Sequence, residues 1–284
     1  MSALLAGSAL PWRDIDVVES TGSTNSDLLA RLEQGMAHEG SVIAAGEQVA
    51  GRGRRGRVWA SPPGTTLSFS VALAPPASRA GFVPVLAAVA VAVAIADVTG
   101  LAPTLKWPND VMLAGGSDVG SRGERGSDGG VGGAGGVGGK VAGILAEGGT
   151  GGVVVGCGIN VSVPHSALPV DTATSLSEHA APVDRAELLV AALTHLHGSY
   201  ERWREAGFSA AACGLLDRYR SMCATIGSPV SVLLPDGSQL TGTATAIDDD
   251  GRLEVAGPHG TRLLSAGDVT HLRPGRVPIS APDQ

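Results

Sequence analysis

Apolar and polar residues alternate most cleanly in the stretch 67–73. Leu67, Phe69, Val71 and Leu73 are interleaved with Ser68, Ser70 and Ala72. A period of two sends the two sets to opposite faces of a strand. Residues 15–19 and 41–47 also read as short strands. Between them, Leu28, Leu29 and Leu32 recur at helical spacing behind Ser23-Thr24-Asn25. Thr24 followed by Asp27 resembles a capping box, with Asp in place of the usual Glu. Residues 83–98 are apolar on every side and rich in Ala and Val. They are shorter than the roughly 20 residues of a membrane span. With Asp97 near the end and Pro84 in the first turn, they predict a buried core helix.

The next motif is a rigid turn. Strands at 104–105 and 111–113 flank Lys106-Trp107-Pro108-Asn109-Asp110. Pro108 pushes Trp107 out of helical geometry. Two apolar runs, 140–147 and 153–160, are joined by glycines and predict a central hairpin. A short helical turn is expected within 173–179, and helices over 184–204 and 209–222. Val190, Leu193, Leu196 and His197 form the apolar stripe of the first; His195 and His197 read as surface or packing residues. At Ile226 the texture changes. Short strands at 230–234, 241–247, 253–255, 261–264 and 268–272 alternate with Pro-Asp-Gly and Asp-Asp-Gly turns, the pattern of a small barrel. The domain reading is a flexible N-terminus at 1–14, a main domain at 15–224, a small C-terminal domain at 225–274 and a tail at 275–284. Residues 114–139 are half glycine and without periodicity, and read as a flexible insertion.

Composition narrows the function. With a net charge of -7, general binding to nucleic acid or anionic membranes is disfavoured. Cys157, Cys213 and Cys223 are odd in number and widely spaced, which points to reduced thiols in a cytoplasm. The basic residues comprise 18 arginines and only two lysines, Lys106 and Lys140, and there are three asparagines, Asn25, Asn109 and Asn160. All five rare residues fall inside the motifs described here, which turns attention to them as sites of chemistry. A lysine at a strand start is ordinarily a solvated edge residue, so the rarity is what singles out Lys140.

The most unusual stretch is 51–57, Gly-Arg-Gly-Arg-Arg-Gly-Arg. Glycines let a backbone approach a ligand, and guanidiniums match phosphate and carboxylate oxygens. A segment this cationic repels itself and reads as a mobile loop when empty. By itself it is equally a solvated basic turn or a nucleic-acid patch. Ser23, Thr24 and Asn25 are likewise either a helix cap or hydrogen-bonding groups for a small polar ligand at a helix N-terminus.

Taken together and in order, Ser23-Thr24-Asn25, the loop 51–57 with Trp59, Lys106-Trp-Pro-Asn-Asp110, Lys140-Val-Ala-Gly-Ile-Leu and Gly156-Cys-Gly-Ile-Asn160 resemble the biotin–protein ligases. The resemblance covers roughly residues 15–274. It implies an α+β fold, a central mixed β-sheet flanked by helices in the class II synthetase-like arrangement, followed by an SH3-like barrel. It implies biotin, ATP and Mg²⁺ as small-molecule requirements, biotinyl-5′-AMP as intermediate, and a biotin carboxyl carrier protein or domain of an acyl-CoA carboxylase as acceptor. On this resemblance Ser23, Thr24, Asn25, Gln48, Gly51, Arg52, Gly53, Arg54, Lys140 and Gly143 hold biotin. Arg54, Arg55, Arg57, Trp59, Lys106, Asn109 and Asn160 hold the nucleotide. Lys140, Arg54, Arg52 and Asp110 are the catalytic candidates, with Asp110 also the Mg²⁺ candidate. Trp59 and Trp107 either cover the adenylate or pack in the core.

Two features depart from the family pattern. No helix-turn-helix fits before Ile15, so DNA binding is not expected, and the glycine-rich insertion before Lys140 is unusual. The alternatives are a lipoate-type ligase, an inactive biotin-binding protein, or a nucleic-acid module built on the Arg/Gly loop. Monomer and homodimer are both compatible with the sequence.

Overall fold

The structure is a computed structural model that describes residues 10–59, 62–114, 139–149, 151–170 and 172–272. The strands and helices are β1 (Asp14–Val18), α1 (Thr24–Glu33), β2 (Ser41–Ala45), β3 (Thr66–Leu73), α2 (Val83–Thr99), β4 (Thr104–Lys106), β5 (Asp110–Leu113), β6 (Gly139–Gly149) and β7 (Gly152–Asn160). They continue with α3 (Arg185–Glu205), α4 (Leu215–Met222), β8 (Pro229–Leu233), β9 (Gln239–Ile247), β10 (Leu253–Gly257), β11 (Gly260–Leu264) and β12 (Asp268–His271).

The first seven strands form one mixed sheet in the order β1-β2-β3-β7-β6-β5-β4. β1 and β2 run parallel, and the other neighbours are antiparallel. The predicted hairpin of β6 and β7 is central. All eight residues of β3 are buried, so its alternation does not mark a solvent face. Leu67, Phe69, Val71 and Leu73 join the large core with α2 and α3, while Ala72 packs with Leu28, Ile43 and Val154 on the α1 side.

α2 is buried along most of its length, as an all-round apolar helix must be in a sandwiched layer. Pro84 lies in its first turn, and Gly100, at φ 70°, ends it. With the turn before it, α2 makes a 23-residue stretch long and apolar enough for a bilayer, yet most of it is buried in the fold. α3 covers the same core. Its buried face is Leu188, Leu189, Ala192, Leu193, Leu196, Tyr200 and Trp203, so Val190 and His197 lie at the edge of the expected stripe. His195 pairs with Asp97 at 2.7 Å, and the His197 ring meets Trp12 edge to face.

Four further expectations need correction. The helix expected over 209–222 covers only α4, because Gly214 takes a left-handed φ of 75° and interrupts it. Ser23, not Thr24, caps α1, accepting from Ser26 N, while Asp27 turns outward to Thr21. The terminus expected to be flexible is packed from Trp12 onward; that indole is 7% exposed and donates to Leu193 O at 3.0 Å. Residues 115–138 of the expected insertion lie outside the described residues. Gly139 already belongs to β6 and pairs with Leu113 of β5.

The last five strands form an antiparallel sheet in the order β11-β10-β9-β8-β12, the small SH3-like barrel. Val230, Val232, Ala244, Ile247, Leu253 and Val255 fill it. The barrel is seated on the Lys-Trp-Pro-Asn-Asp turn. Trp107 N donates to Thr225 Oγ1 at 3.0 Å and Trp107 Nε1 donates to Gly251 O at 2.9 Å. Trp107 is therefore a core residue joining the two sheets, as one of its two sequence readings held. Arg79 adds ion pairs to Asp249 and Asp250 at 3.3 and 2.8 Å.

Candidate active site

A cavity of ≈ 650 Å³ opens between the N-terminus of α1, the basic loop, strands β5 to β7 and the start of β12. Of the residues singled out in the sequence, Ser23, Thr24, Asn25, Gln48, Arg52, Gly53, Arg54, Arg57, Trp59, Lys106, Trp107, Asn109, Asp110, Lys140, Gly143 and Asn160 line it. Gly51 and Arg55 do not. At Gly51 the two ends of the loop touch: Trp59 N donates to Gly51 O at 2.8 Å, and a Cβ there would lie 2.6 Å from Trp59 O. Arg55 has a left-handed φ of 57° and turns its guanidinium away to Asp268, 3.2 Å off.

One end of the cavity is polar and uncharged. Thr24 N donates to Gln48 Oε1 at 2.8 Å, and Thr24 Oγ1 lies 3.0 Å from the same oxygen. Ser70 Oγ, from the polar side of β3, is 2.7 Å from both Thr24 Oγ1 and Asn25 Oδ1. Ser23, Thr24 and Asn25 are 6%, 3% and 4% exposed, so this cap of α1 is also a wall of the cavity. Gly156 makes room for it. A Cβ there would fall 2.1 Å from Asn25 Oδ1.

The other end is cationic. Lys140 Nζ lies 2.5 Å from Asp110 Oδ1 in an ionic contact that lacks the alignment of a hydrogen bond. The strand start that carries Lys140 is strapped to the 172–174 segment, through Lys140 N to Thr172 O at 2.7 Å and Thr174 N to Lys140 O at 2.9 Å. Asn160 secures that strap, donating to Thr174 O at 3.0 Å. Asn109 donates to Ile144 O at 2.9 Å and accepts from Arg54 at 3.4 Å. Arg54 also donates to Gly267 O of the barrel at 3.3 Å. Burial pushes the Arg54 guanidinium below its ordinary range, while Asp268 and Asp110 act against that shift.

Trp59 forms the floor between the two ends. Its ring lies against β6 and β7, where a Cβ on Gly143 or Gly158 would come within 2.9 or 2.5 Å of the indole. Lys140 Nζ stands 5.4 Å from the ring centroid, within cation–π reach. Cys157 also lines the cavity. Burial pushes its thiol well up, which makes it an uncharged wall rather than a nucleophile.

The basic loop is not left to its own repulsion. Arg52 pairs with Glu147 at 3.3 Å and donates to Ser26 Oγ at 2.8 Å. Arg57 and Arg55 converge on the same oxygen of Asp268. These acidic partners, with Ser70, are the site-shaping residues that sequence reading missed. A lone carboxylate at the end of the apolar run 140–147 was the one available signal for Glu147. Asp268 is remote in sequence and gave none.

Among the described residues no group of three or more His, Cys, Asp or Glu is placed to hold a metal ion. The carboxylates on the cavity wall are Asp110 and Asp268, each paired with a cation. This donor set fits magnesium only as an ion carried largely by nucleotide phosphates and water, with one carboxylate at most.

Residues 17–163 match the biotin/lipoate A/B protein ligase family, and residues 225–272 match the biotin protein ligase C-terminal domain. Over 275 residues the chain is 37% identical to the biotin--[acetyl-CoA-carboxylase] ligase of Mycobacterium tuberculosis, covering 95% of this chain and 93% of that one. It is 30% identical over 265 residues to the bifunctional ligase/repressor BirA of Bacillus subtilis, covering 89% of this chain and 72% of that one. The solved structure of the biotin protein ligase from Aquifex aeolicus in complex with biotin and ATP superposes with a TM-score of 0.71 at 24% identity, covering 92% of this chain and all of that one, and so shares the fold. By its two matched domains and the near full-length likeness to its curated relatives, the chain belongs to the biotin–protein ligase family.

Proposed function

We propose that the protein is an ATP-dependent ligase that activates biotin as biotinyl-5′-AMP and transfers it to a lysine of a biotin carboxyl carrier protein or domain. The observation that carries this reading is the two-ended cavity. Short polar side chains suited to a cyclic urea line one end, and Lys140 and Arg54 stand at the other.

In the first half-reaction a biotin carboxylate oxygen bonds to the α-phosphorus of ATP, and the bond to pyrophosphate breaks. Both reactants are anions, so the site must bring them together against their repulsion. Lys140 supplies a compact charge for the carboxylate and α-phosphate oxygens, and Arg54 a planar one. Each such contact contributes about 3–4 kcal/mol where charge develops in a closed site. Magnesium, when bound with the nucleotide, neutralises phosphate charge and orients the leaving pyrophosphate. Trp59 shields the forming anhydride from water. Asn109 and Lys106 contact the nucleotide, and Asn160 acts on the strap beside Lys140.

In the second half-reaction an acceptor lysine amine bonds to the acyl carbon, AMP leaves with the bonding electrons, and a proton leaves the nitrogen. Asp110 takes that proton in this reading, supported by its position on the cavity wall beside Lys140. The free state of Cys157, Cys213 and Cys223 supports a reducing, cytoplasmic setting.

The test is to incubate the protein with biotin, ATP and Mg²⁺ and to follow pyrophosphate release and labelling of a carrier domain. Lipoate in place of biotin is the control. Pyrophosphate release with lipoate and none with biotin would transfer the reading to a lipoate ligase.

A further inference from the structure

The polar end of the cavity contains a problem of direction. Ser, Thr, Asn and Gln side chains each donate and accept, so a ring pocket built from them does not by itself specify which groups a ligand must offer. A cyclic urea presents N–H donors on two sides and a carbonyl acceptor between them. The pocket has to face it in one sense.

Two single-sense groups remove the ambiguity. At one end the backbone N–H of Thr24 can only donate, and it fixes Gln48 Oε1 towards itself at 2.8 Å. At the other end Glu147 Oε2 accepts from Asn25 Nδ2 at 2.8 Å. A carboxylate can only accept. The Leu145 carbonyl, at 3.1 Å, takes the second amide proton of Asn25. With both its donors committed, Asn25 must present Oδ1 to Ser70. The single Ser70 proton then goes to Asn25 Oδ1, while the Thr24 hydroxyl gives its own proton to Gln48 Oε1, 3.0 Å away. Both amide oxygens thus face the hydroxyls as acceptors, and on the Asn25 side that sense is set from outside the pocket.

Glu147 does not line the cavity, so it acts through Asn25. Its other oxygen, Oε1, is 3.3 Å from Arg52 of the basic loop. One half-buried carboxylate therefore ties the ring pocket to the loop. Arg52 cannot accept, which leaves that end of the chain equally one-directional. Glycine at 156 completes the arrangement, since any side chain there would displace the Asn25 amide.

We propose that Glu147 is a positioning residue that orients the Asn25 amide, and with it the hydrogen-bond polarity of the biotin-ring pocket, while anchoring Arg52 of the basic loop. The proposal rests on the biotin-ligase reading of the cavity. It makes ring recognition and loop position depend on the same side chain, separate from the cationic end where phosphate is handled.

The experiment is a double-mutant cycle read by biotin binding in calorimetry, with the kinetics of pyrophosphate release beside it. Glu147→Gln keeps the shape and replaces the acceptor-only group by one of either sense. It is expected to weaken biotin binding roughly tenfold, the scale of one charge-assisted hydrogen bond, and to leave the KM for ATP within about twofold. Glu147→Asp, which keeps the carboxylate, is expected to fall between wild type and Gln. In the Asn25→Ala background the Gln substitution should have a clearly smaller effect, only what the contact with Arg52 contributes, because the amide it orients is gone. A biotin Kd for Glu147→Gln within about twofold of wild type would overturn the proposal, and so would full additivity with Asn25→Ala. Failure of the wild-type protein itself to bind biotin would overturn the ligase reading and this proposal with it.

Discussion

Lys140 and Asp110, from neighbouring strands, meet across the cavity with Nζ 2.5 Å from Oδ1. The sequence separates them by the glycine-rich insertion, and the β5–β6 pairing brings them side by side. The ion pair holds the lysine in the site until an anionic substrate takes its place as partner. Lys140→Met is expected to lower pyrophosphate release roughly 10²–10³-fold, as loss of one developing-charge contact does.

Asp110 has a separable part. Asp110→Asn is expected to slow transfer of biotin from preformed biotinyl-AMP to the carrier, because the amide takes no proton from the incoming amine. Single-turnover transfer at the wild-type rate would remove Asp110 as the base.

Arg54 spans the gap between the two sheets, reaching Asn109 on one side and Gly267 on the other. Replacing it with Gly should open the cavity at the anhydride and let the intermediate escape. The expected outcome is labelling of a bystander protein in the presence of biotin and ATP, with labelling confined to the carrier in the wild type.

Asp268 holds Arg55 and Arg57 on one oxygen. Half-exposed pairs of this kind contribute about 0.2–1 kcal/mol each. The loop is thus held lightly and should open when empty and settle when biotin or the adenylate is bound. Trypsin should cut after Arg55 or Arg57 a few-fold faster in Asp268→Asn than in wild type, and biotinyl-AMP should protect both. Equal cleavage of the wild type with and without biotinyl-AMP would contradict a ligand-ordered loop.

The ends of the insertion are already partners, since Leu113 pairs with Gly139. Removing residues 115–138 and closing the gap with a short turn should leave the rate of adenylation nearly unchanged, because loop closure depends only weakly on length. A large fall in pyrophosphate release would show that the insertion takes part in the reaction.

His271 lies at the end of β12 beside Thr225, its Nε2 3.1 Å from the hydroxyl. Burial, and then Lys106, hold its pKa below the ordinary 6.5. The unfolded chain therefore binds more protons in the window just below pH 6.5. The contribution of His271 to stability is complete above that pH and is lost as pH falls towards the folded value. Thermal midpoints measured from pH 8 to pH 5 should fall less steeply for His271→Gln than for wild type.

The sequence by itself determined most of the elements and singled out most of the polar residues that line the cavity. Period-two patterning in 67–73, glycine-joined apolar runs and turn chemistry after Ile226 are local signals, and strands followed from them. Ser23 to Asn25, Arg54, Asn109, Asp110 and Lys140 stood out because each sits in a short motif of unusual composition. The helix over 209–222 was overread, since its apolar spacing carried no sign that Gly214 would turn left-handed. What only the tertiary structure decided was how charges and hydrogen bonds close. The serines of β3 look like a solvent face until α1 covers them, and Ser70 then becomes the hinge of a polar chain. Glu147 and Asp268 stand far along the chain from the arginines they neutralise. A carboxylate's partner is chosen by the sheet order and by where the barrel docks, and neither is written in the residues next to it.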